Sequence, residues 1–334
     1  MTDMTGREAA SEPTGGPPYL TPSVQSFLDA LATEGGPQIY QLSPADAREA
    51  LRAGQAVEVA KPAADIQDRT IPGGPHGEVS VRIVRPKGAT GTLPALMYFH
   101  GGGWVLGDKD THDRLVRELA VGTKAAVVFV DYTLSPEAHY PTAIEQAYAA
   151  TRWVAEQGAS AGLDASRLMV VGDSVGGNMV AAVTLLAKRR GGPELALQVM
   201  AYPVTDADFT TPSYQQFADG PWLTRQAMRW FWDAYAPDVS VRAEPTACPL
   251  RASLEELRGL PPALLITAEN DVLRDEGEAY AHRLMQAGVR VTADRYLGTI
   301  HDFLLLNPIA GTTPTRGALA QVTDTLRGVL ELGR

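Results

Sequence analysis

The chain has 334 residues, 45% of them hydrophobic and 20% charged, which suits a globular protein with a sizeable core and a single large α/β domain. Its 39 acidic and 29 basic side chains leave a net charge of -10, which repels phosphate backbones and anionic lipid and argues against nucleic acid and membrane surfaces as partners. The single cysteine, Cys248, cannot make an internal disulfide or, alone, a thiolate metal site.

Residues 1–18 are rich in Gly, Pro, Ser and Thr, which predicts a mobile segment. They lack a basic stretch followed by an apolar run, so no signal peptide is expected. No apolar run later in the chain approaches the roughly 20 residues that span a bilayer, and the expected location is the cytoplasm. Helical periodicity starts at 23–31, and a second helix is predicted at 43–53 with Ser43 as its N-cap. Residues 79–84 alternate like a half-buried strand. Strand-length apolar runs follow at 95–99, 125–130, 168–171, 197–202, 263–267 and 289–296. Helix-like segments lie between them at 115–121, 143–156, 178–190 and 276–287. The alternation predicts the α/β class, with a mostly parallel central sheet flanked by helices. Reactive residues then belong at the carboxyl ends of the strands.

Residues 206–239 interrupt this order. They hold Trp222, Trp230, Phe231, Trp232 and Tyr235, and so three of the five tryptophans. A helical, aromatic-rich insertion reads as a cap over the carboxyl edge of the sheet; an ordinary buried helix pair would give the same pattern.

The strand at 168–171 runs into Gly172-Asp173-Ser174-Val175-Gly176, and a helical pattern follows from about residue 178. Strand, tight turn and helix form the context in which a G-x-S-x-G motif presents a nucleophilic serine. Its glycines are needed because side chains there would strike the neighbouring strand and helix. The helix behind Ser174 points its positive end at the place where charge develops. Upstream, 95–99 runs into His100-Gly101-Gly102-Gly103-Trp104. Three glycines leave backbone N–H groups free to approach a ligand, and fixed N–H donors stabilise a tetrahedral oxyanion by about 3 kcal/mol each. The expected donors are the amides of Gly102, Gly103 and Val175. No Gly-Lys-Ser/Thr follows, which argues against a nucleotide loop.

A serine needs a general base, and six histidines are available: His76, His100, His112, His139, His282 and His301. His76 precedes the central strands in a Gly/Pro turn, and His100 belongs to the glycine loop. His112, His139 and His282 have surface-like neighbours. His301 follows the 289–296 strand through the turn 297–300, late in the chain, as the order serine, acid, histidine requires. The acid that orients it is expected at Asp271, just after the 263–267 strand. Glu269, Asp275 and Glu276 are rivals, the last two better suited to the first turn of the next helix.

Together, His100-Gly101-Gly102-Gly103-Trp104 and Gly172-Asp173-Ser174-Val175-Gly176-Gly177-Asn178 resemble the hormone-sensitive-lipase family of esterases, the bacterial family IV of the α/β-hydrolase superfamily. The segments 131–137, Tyr140-Pro141, 271–276 and 300–303 extend the likeness over about 60–330. The resemblance implies a triad of Ser174, Asp271 and His301 and an oxyanion hole of Gly102, Gly103 and Val175. It also implies a helical cap from 1–55 and 206–239 on a catalytic domain of 56–205 and 240–334. Trp104 and Asp173 from the two motifs, and Trp222 from the insertion, are the candidate substrate-pocket residues. The expected activity is hydrolysis of small, short- to medium-chain carboxylic esters, with no cofactor or metal. An amidase or deacetylase using the same triad, and a ligand-binding protein on the same fold, are the alternatives. Relatives of this kind are often dimers through an edge strand, so a homodimer is a candidate assembly.

Three positions depart from the family pattern. Val175 stands where Ala is common, and its branched side chain is expected to narrow the acyl pocket. Val272 replaces a frequent Pro. Asp302 replaces a frequent Gly beside the base, and either perturbs His301 or points to solvent.

Overall fold

The computed structural model describes residues 18–331; the stretch 1–17, for which composition predicts mobility, lies outside the described residues. Strand formation follows from alternation. In the segment around 95–99, Ala95, Met97 and Phe99 enter one apolar cluster while Leu96 and Tyr98 enter another; Val128 and Val130 part in the same way from Val127 and Phe129. Side chains of a strand leave it on alternate faces, so a continuous apolar run fills two cores at once.

The strands are β1 (Ala64–Pro72), β2 (Glu78–Pro86), β3 (Leu93–Phe99), β4 (Ala126–Asp131), β5 (Leu163–Asp173), β6 (Leu197–Ala201), β7 (Ala263–Asn270) and β8 (Val291–Ile300). They form one sheet in the order β1-β2-β4-β3-β5-β6-β7-β8. The pairs β1/β2 and β2/β4 are antiparallel, and the strands from β4 through β8 are parallel. The loops after β3, β5, β6, β7 and β8 therefore emerge at one edge of the sheet.

The helices are α1 (Pro22–Glu34), α2 (Pro44–Gln55), α3 (Asp113–Thr123), α4 (Thr142–Gln157), α5 (Val175–Arg190), α6 (Pro212–Gln216), α7 (Arg225–Tyr235), α8 (Leu254–Leu257), α9 (Arg274–Gln286) and α10 (Thr313–Glu331). Ser43 caps α2 as expected, accepting the Asp46 amide at 3.2 Å. The first helical turn in α5 begins directly at Val175, so strand and helix are joined by a single residue, Ser174.

Besides the single-turn α8, two elements lie outside the sequence expectations. β1 is polar and mostly exposed; an edge strand paired on one side needs no apolar alternation, which leaves no periodic signal. α10 buries Ala318, Leu319, Val322, Leu326 and Leu330, a helical spacing that the sequence does display. One boundary is corrected. Residues 297–300, expected as a turn, continue β8, whose pairing with β7 shifts register between Ala268 and Asn270. The histidine that follows thus leaves directly from a strand end.

Candidate active site

Ser174 occupies φ 55°, ψ -121°, a backbone state that non-glycine residues adopt only when their surroundings enforce it. The enforcing contacts are local. The Ser174 amide donates to the Ala201 carbonyl at 2.9 Å, and the Ser174 carbonyl accepts the amides of Asn178 and Val204, each at 3.2 Å. A Cβ on Gly172 would meet the Gly176 carbonyl, and one on Gly176 would meet the Phe99 carbonyl. The turn closes only because both positions lack side chains. As the first residue of α5, Val175 offers an amide with no acceptor inside the helix.

The loop after β3 lies beside this turn. Gly102, Gly103 and Trp104 all have positive φ, at 105°, 64° and 60°. Among the described residues the amides of Gly102 and Gly103 donate to no protein acceptor. A buried polar group holds the loop from beneath. Asp173 Oδ1 accepts the Gly101 amide at 3.1 Å and the Tyr98 hydroxyl at 2.6 Å, and His112 Nε2 lies 3.5 Å from Oδ2. Burial opposes ionisation of Asp173, yet His112, the Tyr98 hydroxyl and His100 outweigh it and hold the carboxyl below its usual range. Tyr98 is pushed the other way, by burial and then by the Asp173 charge, and keeps its proton. His100 donates from Nδ1 to the Gly101 carbonyl at 2.8 Å and stacks on Tyr132 at 4.1 Å. Burial, then the neighbouring His112, lowers its pKa to about 3, so it is a neutral brace.

His112 corrects the surface assignment. It is fully buried and reaches under the glycine loop, although its sequence neighbours Asp110, Thr111 and Asp113 are polar. His139 and His282 are exposed, as expected.

At the carboxyl ends of β7 and β8 the third part of the site assembles. His301 Nδ1 lies 2.7 Å from Asp271 Oδ2, and Nε2 lies 2.9 Å from Ser174 Oγ. Asp271 Oδ1 accepts the Leu273 amide at 3.0 Å, which fixes the carboxylate. The rivals are otherwise engaged. Glu269 accepts the Gly298 amide at 2.7 Å. Asp275 accepts the Ser213 amide at 2.7 Å. Glu276 accepts the amides of Thr205 and Asp206 at 2.6 and 3.2 Å. Burial works against a charged His301, but Asp271 and Asp302 prevail and raise its pKa. The Tyr202 ring packs edge-on against the imidazole at 4.9 Å.

The loop that carries His301 is tethered from far away in the chain. Arg114, on α3, donates to Asn307 Oδ1 at 2.8 Å and to the carbonyls of Leu304 and Leu305 at 2.5 and 2.8 Å. Gln55, at the end of α2, donates to the Thr111 and Leu305 carbonyls at 2.9 and 3.0 Å and accepts the Asn307 amide at 2.9 Å. Neither residue carries a sequence signal, because their partners on this loop are groups some 190–250 positions away.

Ser174, His301, Gly102 and Gly103 open into one cavity of about 830 Å³, walled by α1, the segment before α2 and the 221–231 stretch that includes α7. Trp222 lines it. Trp104 and Asp173, expected in the pocket, do not. Trp104 is fully buried and stacks on Tyr235 at 3.9 Å, and Asp173 lies beneath the glycine loop. Val175 is corrected as well: its side chain is buried in the core behind the turn and does not line the cavity. Phe231 of α7 lies against Gly103, where a Cβ would collide with its ring. Asp302, at φ 63°, does not point to open solvent. Its Oδ2 accepts the Trp222 indole N–H at 3.1 Å and its Oδ1 is 3.4 Å from His301 Nε2. Among the described residues no group of three or more His, Cys, Asp or Glu is arranged to hold a metal ion, and no helix is long and apolar enough to cross a membrane.

Comparison with known proteins places this chain among relatives. A family model described as the alpha/beta hydrolase fold matches residues 96–305. The crystal structure of a thermostable esterase from Pseudomonas putida superimposes with a TM-score of 0.93 at 53% identity, covering 95% of this chain and 99% of that one. Carboxylesterase NlhH of Mycobacterium tuberculosis is 39% identical over 319 residues, 93% of this chain and 98% of its own length. An ethyl acetate hydrolase of Pseudomonas putida is 43% identical over 235 residues, 69% of this chain and 72% of its own length.

Proposed function

The chain belongs to the hormone-sensitive-lipase type of α/β hydrolase, and from that membership we propose that it is a carboxylic ester hydrolase whose nucleophile is Ser174. The observation that carries this reading is the unbroken hydrogen-bonded chain Asp271–His301–Ser174, opening into a cavity beside the free amides of Gly102 and Gly103. Ser174 Oγ attacks the ester carbonyl while His301 Nε2 takes its proton. The oxyanion is received by the amides of Gly102, Gly103 and Val175. The imidazolium, steadied by Asp271, gives its proton to the leaving alcohol. Water repeats the sequence on the acyl-enzyme, releasing the acid and restoring Ser174.

The substrate side of the reading rests on the cavity. About 830 Å³ with walls from Leu28, Leu31, Met228 and Phe231 suits one small apolar ester. We assign short- to medium-chain esters to it, and assign 1–55 and 206–239 to a cap over the catalytic remainder. The cap reading is supported by both segments walling the same cavity as Ser174. We assign the chain a cytoplasmic location, to be checked by cell fractionation. The exposed edge strand β8 is the proposed face of a dimer, to be checked by sedimentation.

The test is hydrolysis of p-nitrophenyl acetate, butyrate, octanoate and palmitate by wild type and Ser174→Ala. The expected profile peaks at acetate or butyrate, and the substitution lowers kcat by a factor on the order of 10⁴ or more at unchanged melting temperature. Full activity in Ser174→Ala overturns the mechanism, and a palmitate optimum overturns the substrate class.

A further inference from the structure

We propose that Asp302 is a positioning residue for the base: the Trp222 indole clamps one oxygen of its carboxylate, and the other is held against His301 Nε2, where it favours the imidazolium form. The proposal rests on the hydrolase reading above, because it concerns the nitrogen through which that reaction passes its proton.

The geometry is specific. Asp302 Oδ2 accepts the Trp222 N–H at 3.1 Å. Oδ1 has no hydrogen-bond partner, is shut away from solvent and sits 3.4 Å from Nε2. Nε2 is also the atom 2.9 Å from Ser174 Oγ. In the resting state the Nε2 lone pair takes the Ser174 hydroxyl, and the ring offers the neighbouring carboxylate oxygen no proton. Once Nε2 carries the serine proton, the same oxygen is an attractive neighbour. The left-handed backbone at residue 302, φ 63°, is strained for a side chain bearing a Cβ, so the carboxylate is held in place at a conformational cost that glycine would not incur.

Trp222 decides where the carboxylate points. Its ring packs on Phe27 of α1 at 5.6 Å, so both segments that wall the cavity bear on the clamp. The remaining charged or titratable groups around His301 are few. Asp271 lies behind Nδ1, Asp173 lies across the nucleophile turn, and the Tyr202 phenol comes from the loop after β6. Asp29 of α1 stands on the cavity wall, and Arg114 of α3 holds the Leu304 and Leu305 carbonyls on the far side of the loop. Asp302 is the one whose carboxylate faces Nε2. In support, Asp302 is among the neighbours that raise the His301 pKa.

The experiment follows the pH dependence of kcat/KM and the ring-proton NMR titration of His301 in wild type, Asp302→Asn, Trp222→Phe and the double variant. Asn keeps an acceptor for the indole and tolerates positive φ, so the change removes charge and little else. The expected result for Asp302→Asn is an acid limb moved down by about one pH unit, with a plateau lower by severalfold, since a weaker base works at the plateau. Trp222→Phe moves the limb part of the way, and moves it no further in the Asp302→Asn background. A limb that stays in place in Asp302→Asn overturns the proposal. An equal Trp222→Phe shift in both backgrounds overturns the clamp. The NMR titration reads the resting enzyme without turnover, so it still tests the proposal if no ester proves to be a substrate, a result that sinks the hydrolase reading instead.

Discussion

The two sides of the proposed reaction centre are built in opposite ways. The nucleophile side is made from adjacent backbone: β5 ends, Ser174 turns and α5 begins. Its shape is enforced by the absence of two Cβ atoms and by hydrogen bonds to neighbouring strand ends. The histidine side is a loop whose position depends on side chains from α2, α3 and the 206–239 segment. Steric exclusion works at short range and fails abruptly. Hydrogen-bond tethers are distributed, so each can be lost in part. The comparison teaches that the serine side is rigid because nothing else fits, and the base side is rigid because many partners agree.

Breaking the first side is expected to have the largest effect. Gly176→Ala drives a methyl into the Phe99 carbonyl, a backbone atom that cannot give way. It should cost more than about 4 kcal/mol of stability or prevent folding, read by thermal melting. Gly311→Ala, where a Cβ meets nothing within 4 Å, is the control and should melt within about a degree or two of wild type. Equal melting of the two variants would show that the turn tolerates a side chain.

Cutting one tether of the second side should be milder. Arg114→Met leaves the Leu304 carbonyl and Asn307 Oδ1 without this donor and the Leu305 carbonyl with Gln55 alone. A loss of about 3 kcal/mol in urea unfolding is expected. The protein should still fold, with kcat falling more than KM rises, because His301 is displaced rather than the cavity. A stability loss with kinetics untouched would separate the tether from the base.

The smallest effect concerns Glu276, which supports neither side of the proton path directly. Burial raises its carboxyl well above the usual range, with the Thr205 and Asp206 amides offsetting only part of that. The folded state therefore prefers the protonated form. Above the ordinary carboxylate range the unfolded chain is ionised freely while the folded chain is not, so folding loses stability as pH rises. Glu276→Gln removes that loss. Its melting temperature relative to wild type should climb by about 2–4 °C between pH 5 and pH 8; a difference that does not change with pH would show that the burial carries no such cost.

Legibility follows the same division. The glycines of 172–176 and 101–103 state a steric requirement within five residues of chain, so the sequence alone points to Ser174 and the glycine loop beside it. Asp271 and His301 are readable because strand ends of a parallel sheet converge, and the rivals Glu269, Asp275 and Glu276 could be separated from Asp271 only by their hydrogen-bond partners. His112 looked like a surface residue because polar neighbours surround it in sequence; burial beneath the glycine loop is a property of the packed sheet. Trp104 and Val175 looked like pocket residues because they belong to the motifs, but the left-handed backbone at Trp104 and the core-facing first turn of α5 carry their side chains into the buried interior.

What the sequence by itself determined is the parallel α/β sheet and the turn that exposes Ser174, because each rests on periodicity or on a local exclusion written in consecutive residues. Tertiary structure alone decided which side chains face the cavity, how Arg114 and Gln55 hold the base, and that Asp302 meets both Trp222 and His301. The long-range contacts among these join residues 80 to 250 positions apart, and nothing in the local pattern of either partner records the distance at which folding brings them together.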